Sequence, residues 1–317
     1  MMTPPRVSVL MPVYNGMKYL PQAVNSILSQ SYGDFELVVV NDCSTDGSRA
    51  YLDSLSDLRI NRIHLPVNRG VTGALQAGLD LVRGEFVARL DADDVAYPFR
   101  LAEQVAYMDR NPSVGLVASD ADRINEQGEL TSKARGTSKS EIDLRWELLF
   151  KNPIIHSTVL FRRQILVRHG LTYSKQHAED YDLWVRMAEV TRLAQISLPL
   201  IQYRENYGSW TFSKLAEQVA GRNEVSTLAI SSLTEIPEDS IERIRQWVRK
   251  GGQLNPSDIK YFNKLMGAFL VKNNQPRAKD FEKRLASFIR KRMGWRAWQS
   301  SFYRKLALTR TLKDLIN

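Results

Sequence analysis

The chain has 317 residues, 44 Lys+Arg against 35 Asp+Glu, and one cysteine, Cys43, for a formal charge of +9. One cysteine excludes an internal disulfide and any thiolate-built zinc or iron–sulfur centre; at 43% hydrophobic and 25% charged, the composition suits a globular protein of one or two domains. No run reaches the ~18–20 apolar residues of a membrane-spanning helix, and residues 1–6 lack the basic-then-apolar layout of a secretory signal, so the expected location is the cytoplasm.

In chain order, short β-rich runs are predicted at 7–12 (VSVLMP), 35–40 (FELVVV), 59–65 and 86–90. Helices are predicted between them, over 19–30, 47–55 and 71–82, where apolar residues recur three and four apart. Two of the strands are almost wholly apolar, as expected when helices cover both faces of a parallel sheet. Strands alternating with helices predict βαβ units in a doubly wound α/β domain. A helix at 100–109 follows, then an apolar run at 114–118, a hairpin-like stretch around 125–128, and a Ser/Thr/Lys/Gly-rich loop over 128–140. Residues 156–161 (HSTVLF) read as a strand and 178–190 as a helix. After Trp210 the pattern is mainly helical, with breaks at Pro237 and at Gly251 and Gly252.

Charge divides the chain in the same way. Residues 1–210 hold 23 Lys+Arg and 25 Asp+Glu, a balance of −2, whereas 211–317 hold 21 and 10, a balance of +11. Two parts are therefore expected, 1–210 and 211–317.

In open α/β sheets ligands bind at the carboxyl ends of the strands, and polar motifs stand at those positions. Asp91-Ala92-Asp93-Asp94 places three carboxylates in four residues, which a hard divalent cation such as Mg²⁺ or Mn²⁺ would neutralise; a D-x-D alone also suits a solvated acidic turn. Asp42, in NDCSTDG, can accept hydrogen bonds from a nucleobase or ribose, while Asp46 suits capping of the next helix. Asn68-Arg69-Gly70-Val71-Thr72-Gly73 offers a cation and a flexible backbone to a phosphate. It matches neither the dinucleotide-binding G-x-G-x-x-G nor the P-loop, which argues against a dehydrogenase and an NTPase. Glu179-Asp180-Tyr181-Asp182 opens a helix; its carboxylates serve as helix-dipole partners or as a base for an incoming hydroxyl.

In order and spacing, PVYNG, NDCSTDG, NRG, DADD, HSTVLFRR, AEDYDLW and Tyr203-Arg204 resemble the family 2 glycosyltransferases over roughly residues 6–210. The resemblance implies a GT-A fold, a Rossmann-like mixed α/β sheet flanked by helices, and an inverting, metal-dependent transfer of sugar in bacterial cell-surface polysaccharide synthesis. A UDP- or dTDP-sugar would lie across the strand ends. Pro12 and Tyr14 would line the nucleobase pocket, Asp42 would bond the base, and Arg69 and Gly73 would sit near the ribose or diphosphate. Asp91 would contact the ribose, Asp93 would bind a divalent cation (Mg²⁺ or Mn²⁺), and Asp180 would be the catalytic base, with Asp182 directed elsewhere around the helix. The acceptor would be a saccharide or a lipid-linked glycan. Many relatives carry a histidine shortly after the Tyr-Arg pair; here Asn206 stands there. His156 is either a site residue or a structural histidine, and Arg162-Arg163 either orients a ligand or forms a solvated turn.

Residues 243–317 hold 19 Lys+Arg and 4 Asp+Glu, interleaved with Phe281, Phe288, Trp295, Trp298, Phe302 and Tyr303. This suits an anionic membrane surface, placing the enzyme at the cytoplasmic face of the inner membrane, or equally a helical subdomain with a basic exterior. No nucleic-acid reader motif accompanies the charge. The competing readings are a sugar-phosphate nucleotidyltransferase, which would need a glycine-rich basic loop that PVYNG does not supply, and a non-catalytic scaffold on a transferase fold.

Overall fold

Apolar strands build the first half of the sheet in the computed structural model, which describes residues 4–136, 139–205, 214–251 and 254–273. β1 (Val7–Val13), β2 (Phe35–Asn41) and β4 (Phe86–Arg89) are buried along their whole length, while β3 (Ile60–His64) lies at the edge and is partly exposed. All four run parallel, in the order β3-β2-β1-β4. The crossovers are α1 (Leu20–Leu28), α2 (Ser48–Ser54) and α3 (Gly70–Leu79). α3 presses hard on the sheet: a Cβ at Gly78 would stand 2.2 Å from Leu10 Cδ1 and 2.9 Å from Val40 Cγ2, so only glycine permits this approach.

Beyond β4 the sheet becomes mixed. β5 (Val95–Ala96), α4 (Arg100–Arg110), β6 (Val114–Ile124) and β7 (Leu130–Ser132) come next, followed by α5 (Glu141–Glu147), β8 (Leu160–Arg162) and α6 (Arg163–His169). α7 (Glu179–Val190) and β9 (Arg192–Arg204) close this part. The strand order is β3-β2-β1-β4-β8-β6-β9-β5, with β7 on β6, and β8 runs antiparallel to both β4 and β6.

Two expectations change here. HSTVLF is not one strand: residues 156–158 form a 3-10 turn, Thr158 N–H donating to Ile155 O at 3.0 Å, and pairing begins only at Leu160. The β-branched run carried the strand signal, but Ser157 is held off the ladder by polar contacts described below. β9, thirteen residues long, was not anticipated; its sequence RLAQISLPLIQYR has no sustained alternation, and its pairing with β6 is interrupted by register shifts.

The described chain falls into two compact units. One holds residues up to Leu144 and Asn152–Gly221; the other holds Arg145–Lys151 and the described residues from Arg222 onward. The second contains α8 (Leu215–Ser231) from Arg222 onward, α9 (Glu238–Lys250) and α10 (Pro256–Lys272). Pro237 precedes α9 and Gly251, at φ +83°, ends it, at the breaks expected from sequence. Its core is aromatic: Trp146 meets Phe150, Phe262 and Phe269 edge-on at 5.0–5.9 Å between centroids. No helix among the described residues is long and apolar enough to cross a membrane. The aromatic and basic residues from Phe281 to Tyr303, and Asn206, lie outside the described residues.

Candidate functional site

The acidic loop after β4 is built around two arginines. Arg89, the last residue of β4, is 2% exposed and forms an ion pair with Asp91. Ser157 Oγ completes that corner: it accepts from Arg89 Nη1 (3.1 Å) and from Asp91 N–H (3.0 Å), and donates to Asp91 Oδ2 (3.1 Å). The second arginine is Arg204, at the end of β9. Its backbone N–H donates to the fully buried Asp94 (2.8 Å), and Nε donates to Asp93 O (2.8 Å). Nη1 donates to Asn125 O (2.9 Å), Nη2 to Gln22 Oε1 (2.7 Å), and the guanidinium lies 4.5 Å over the Tyr19 ring.

The ligand oxygens of Asp91, Asp93 and Asp94 all lie within 4.8 Å of one another. Burial, reinforced by the charge of Asp91, pushes Asp93 up to about 6; burial and both neighbours push Asp94 well above the usual carboxylate range. The second oxygen of Asp94 has no hydrogen-bond partner among the described residues. Crowded carboxylates with an unsatisfied buried oxygen fit a divalent cation, which prefers a few carboxylate oxygens plus phosphate. All three carboxylates belong to the cluster that could hold such an ion, and Asp94 is also tied to β9 through the Arg204 N–H.

The start of α7 supplies a second pair of carboxylates. Asn152 Nδ2 donates to Asp180 Oδ2 (2.7 Å), and Tyr181 N–H reaches Oδ1 (2.7 Å). The Glu179 side chain is 12% exposed, with Oε1 4.0 Å from His156 Nδ1. Burial, then the charge of Asp180, pushes Glu179 up to about 8. His156 is held well below its ordinary range by burial and by Arg89, so it is neutral; its Nε2 shares a 2.8 Å hydrogen bond with Tyr173 Oη. Asp182 is engaged elsewhere, by Arg186 at 2.6 Å. The two carboxylate groups belong to one electrostatic environment: Arg89 and Asp91 act on Glu179, while Asp91, Glu179 and Asp180 all act on Tyr173.

The loops after β1 and β2 are zipped together. Asn15, left-handed at φ +49°, accepts from Thr45 N–H (2.8 Å) and donates its own N–H to Ser44 Oγ (2.9 Å). Asp46 accepts from Met17 N–H (3.0 Å) and from Ser48 N–H (2.9 Å), at the start of α2, whose cap position is taken by Gly47 and not by Asp46 as expected. Tyr14 emerges 53% exposed, whereas Pro12 is buried in β1 opposite Val40. Asp42 is buried and accepts from Arg69 N–H at 2.7 Å; burial raises its carboxyl and that N–H opposes the rise. Gly73 has a geometric reason to be glycine: a Cβ there would lie 2.5 Å from Arg69 Cβ. It spaces the exposed Arg69 over the first turn of α3.

Sequence reasoning passed over Arg89, Ser157, Asn152 and Tyr173. A signal existed for Arg89, since a cation inside an otherwise apolar strand needs a counter-charge, and three acids follow it. Arg162 does not belong to the site. It pairs with Phe86 in register, at the amino end of β4, and is held by Glu85 (3.1 Å) and Val114 O (3.0 Å).

The chain is 33% identical over 211 residues to an uncharacterized glycosyltransferase of Haemophilus influenzae, covering 63% of this chain and 65% of that protein's length. It is 30% identical over 216 residues to the O-antigen biosynthesis glycosyltransferase WbnJ of Escherichia coli (66% and 84%). It is 28% identical over 214 residues to the E. coli enzyme WfgD, a UDP-Glc:alpha-D-GlcNAc-diphosphoundecaprenol beta-1,3-glucosyltransferase (67% and 81%). Among solved structures it resembles S. aureus TarS 1-349 in complex with UDP-GlcNAc, at a TM-score of 0.62 and 21% identity over 84% of this chain and 81% of that one. It also resembles the mannosyltransferase PcManGT of Pyrobaculum calidifontis in complex with GDP-Man and Mn²⁺, at 0.55 and 20% over 98% and 88%. The profile of Glycosyl transferase family 2 matches residues 8–170, from β1 to the residue that follows α6, and with its GT-A mixed sheet the chain belongs to that family.

Proposed function

We propose that this protein is an inverting glycosyltransferase that moves a sugar from a UDP- or dTDP-sugar to a hydroxyl of a saccharide or lipid-linked acceptor in cell-surface polysaccharide synthesis. The observation that carries the reading is the convergence of the Asp91–Asp93–Asp94 loop and of Glu179, the neighbour of Asp180, on one buried cation, Arg89. The names of WbnJ and WfgD support the pathway and acceptor class, and the TarS complex supports a UDP-sugar.

In this reading Tyr14 and Asp42 hold the nucleobase, with Pro12 as the buried floor of β1, and Arg69, spaced by Gly73, meets the ribose or diphosphate. Asp91 contacts the ribose, and Asp93, with Asp91, holds a Mg²⁺ or Mn²⁺ ion. When bound, that ion offsets charge on the departing diphosphate. Asp180 takes the proton of the acceptor hydroxyl as its oxygen attacks the anomeric carbon from the face opposite the diphosphate. Glu179, buried beside Asp180 and pushed up to about 8, keeps a proton, and Asp180 carries a hydrogen-bond donor on each oxygen.

Residues 1–210 form the catalytic domain in this proposal and 211–317 a helical basic region, working at the cytoplasmic face of the membrane that carries the acceptor. Any contact of 243–317 with anionic lipid rests on its charge alone. The test is release of nucleoside diphosphate from a panel of UDP- and dTDP-sugars, with and without Mn²⁺. D180N should lose turnover while still binding UDP, and D93A should lose the response to metal. Native turnover in D180N would remove the base assignment, and unchanged metal dependence in D93A would remove Asp93 from the ion.

A further inference from the structure

The segment 152–157 lies between the two carboxylate groups and bonds to both. At its start Asn152 Nδ2 donates to Asp180 Oδ2 (2.7 Å); at its end Ser157 Oγ bonds Asp91 and Arg89. Between them His156 bonds Tyr173 and faces Glu179. The orientation of the Asn152 amide is determined by its other end: Oδ1 accepts from Ile154 N–H at 3.1 Å, so the NH₂ must face Asp180.

We infer that Asn152 is the positioning residue of the Asp180 base, a donor that holds the carboxylate ionised and at a fixed distance from the Asp91 corner. The inference rests on Asp180 being the base. Its physical content is that a hydrogen bond to the charged form of a carboxyl favours that form, and that a rigid neighbour fixes the proton acceptor's direction. Beside the Asn152 donor, Asp180 accepts the Tyr181 N–H and acts on Glu179 of its own helix and on Tyr173 of the preceding loop, while Arg89 is engaged by Asp91 and Ser157.

Two variants separate this role from packing. N152A removes the donor and leaves space. N152D keeps the shape and the acceptor for Ile154 N–H, but turns an acceptor toward Asp180. Both are made in the full chain, and the Asp180 carboxyl is followed by ¹³C NMR, its signal identified by its absence in D180N. UDP affinity is measured by calorimetry, and nucleoside diphosphate release is measured from UDP-glucose and UDP-GlcNAc. N152A is expected to raise the Asp180 titration by about one pH unit and to lower turnover on the order of tenfold, with UDP affinity unchanged; N152D should raise it further. An Asp180 titration that is the same in native protein, N152A and N152D overturns the inference. Native turnover in D180N, with the titration still moving in N152A, would instead refute the base assignment and leave the contact itself established.

Discussion

Replacing Arg89 with methionine keeps an unbranched apolar stem and removes the charge on which both halves of the site converge. Removing one partner of a buried ion pair costs about 3–5 kcal/mol. Asp91 retains 34% side-chain exposure and the Ser157 hydroxyl, which puts the cost at the lower end. A second effect opposes it. Arg100, fully buried with Nη2 donating to Arg89 O at 2.7 Å, is pulled down to about 9 by burial and by the charge of Arg89, so losing that charge relieves a repulsion. The net loss is then roughly 2 kcal/mol, or about 4–8 °C in melting temperature for a unit of 150–250 residues. Differential scanning calorimetry of native protein, R89M and R89K measures it. Lysine keeps the charge but not the fork that reaches Asp91 and Ser157 together, so R89K should melt between the other two. An R89M protein melting within about 1 °C of native would show that the pair makes no net contribution and refute the reasoning.

The remaining expectations concern the donor loops and the acid pair. G73A should lower UDP affinity about tenfold by forcing Arg69 aside, while helix propensity favours alanine by up to ~1 kcal/mol and keeps the melting temperature close to native; unchanged calorimetric UDP binding would detach Gly73 from the donor site. Glu179 titrates near 8 folded against an ordinary 4.5, so the folded state holds the extra proton between those values and stability falls as pH rises through them. E179Q should flatten that fall between pH 5 and 8, seen as a shrinking gap between the two proteins' melting temperatures on acidification. A gap independent of pH would place Glu179 in its ordinary range.

What the sequence revealed depended on locality. β1, β2 and β4 were legible because burial on both faces demands an apolar run, and the acidic and glycine-containing loops were legible because they directly follow those strands. Asp91, Asp93 and Asp180 stood out as charges where a ligand was expected. Ser157, by contrast, is an ordinary serine until the fold brings it to Asp91, 66 positions away. Asn152 acquires meaning only from Asp180, 28 positions on. β9 was hidden because its partner β6 buries some faces and leaves others wet, so neither period dominates.

The Arg204 clamp also sets an order of events during synthesis. Asp94 leaves the ribosome 110 residues ahead of the backbone N–H that it accepts, a delay of roughly 5–20 s at ordinary elongation rates. Strands β1 to β4 can pair in that interval with their apolar faces in place, but their acidic loop has no partner for its most buried carboxylate. The β1–β4 half of the sheet is therefore assembled early and the acidic loop is locked late, when β9 docks and Gln22, Asn125 and Asp93 are gathered onto one guanidinium. A nascent chain arrested before residue 204 would expose that loop to proteolysis while its first strands resist it.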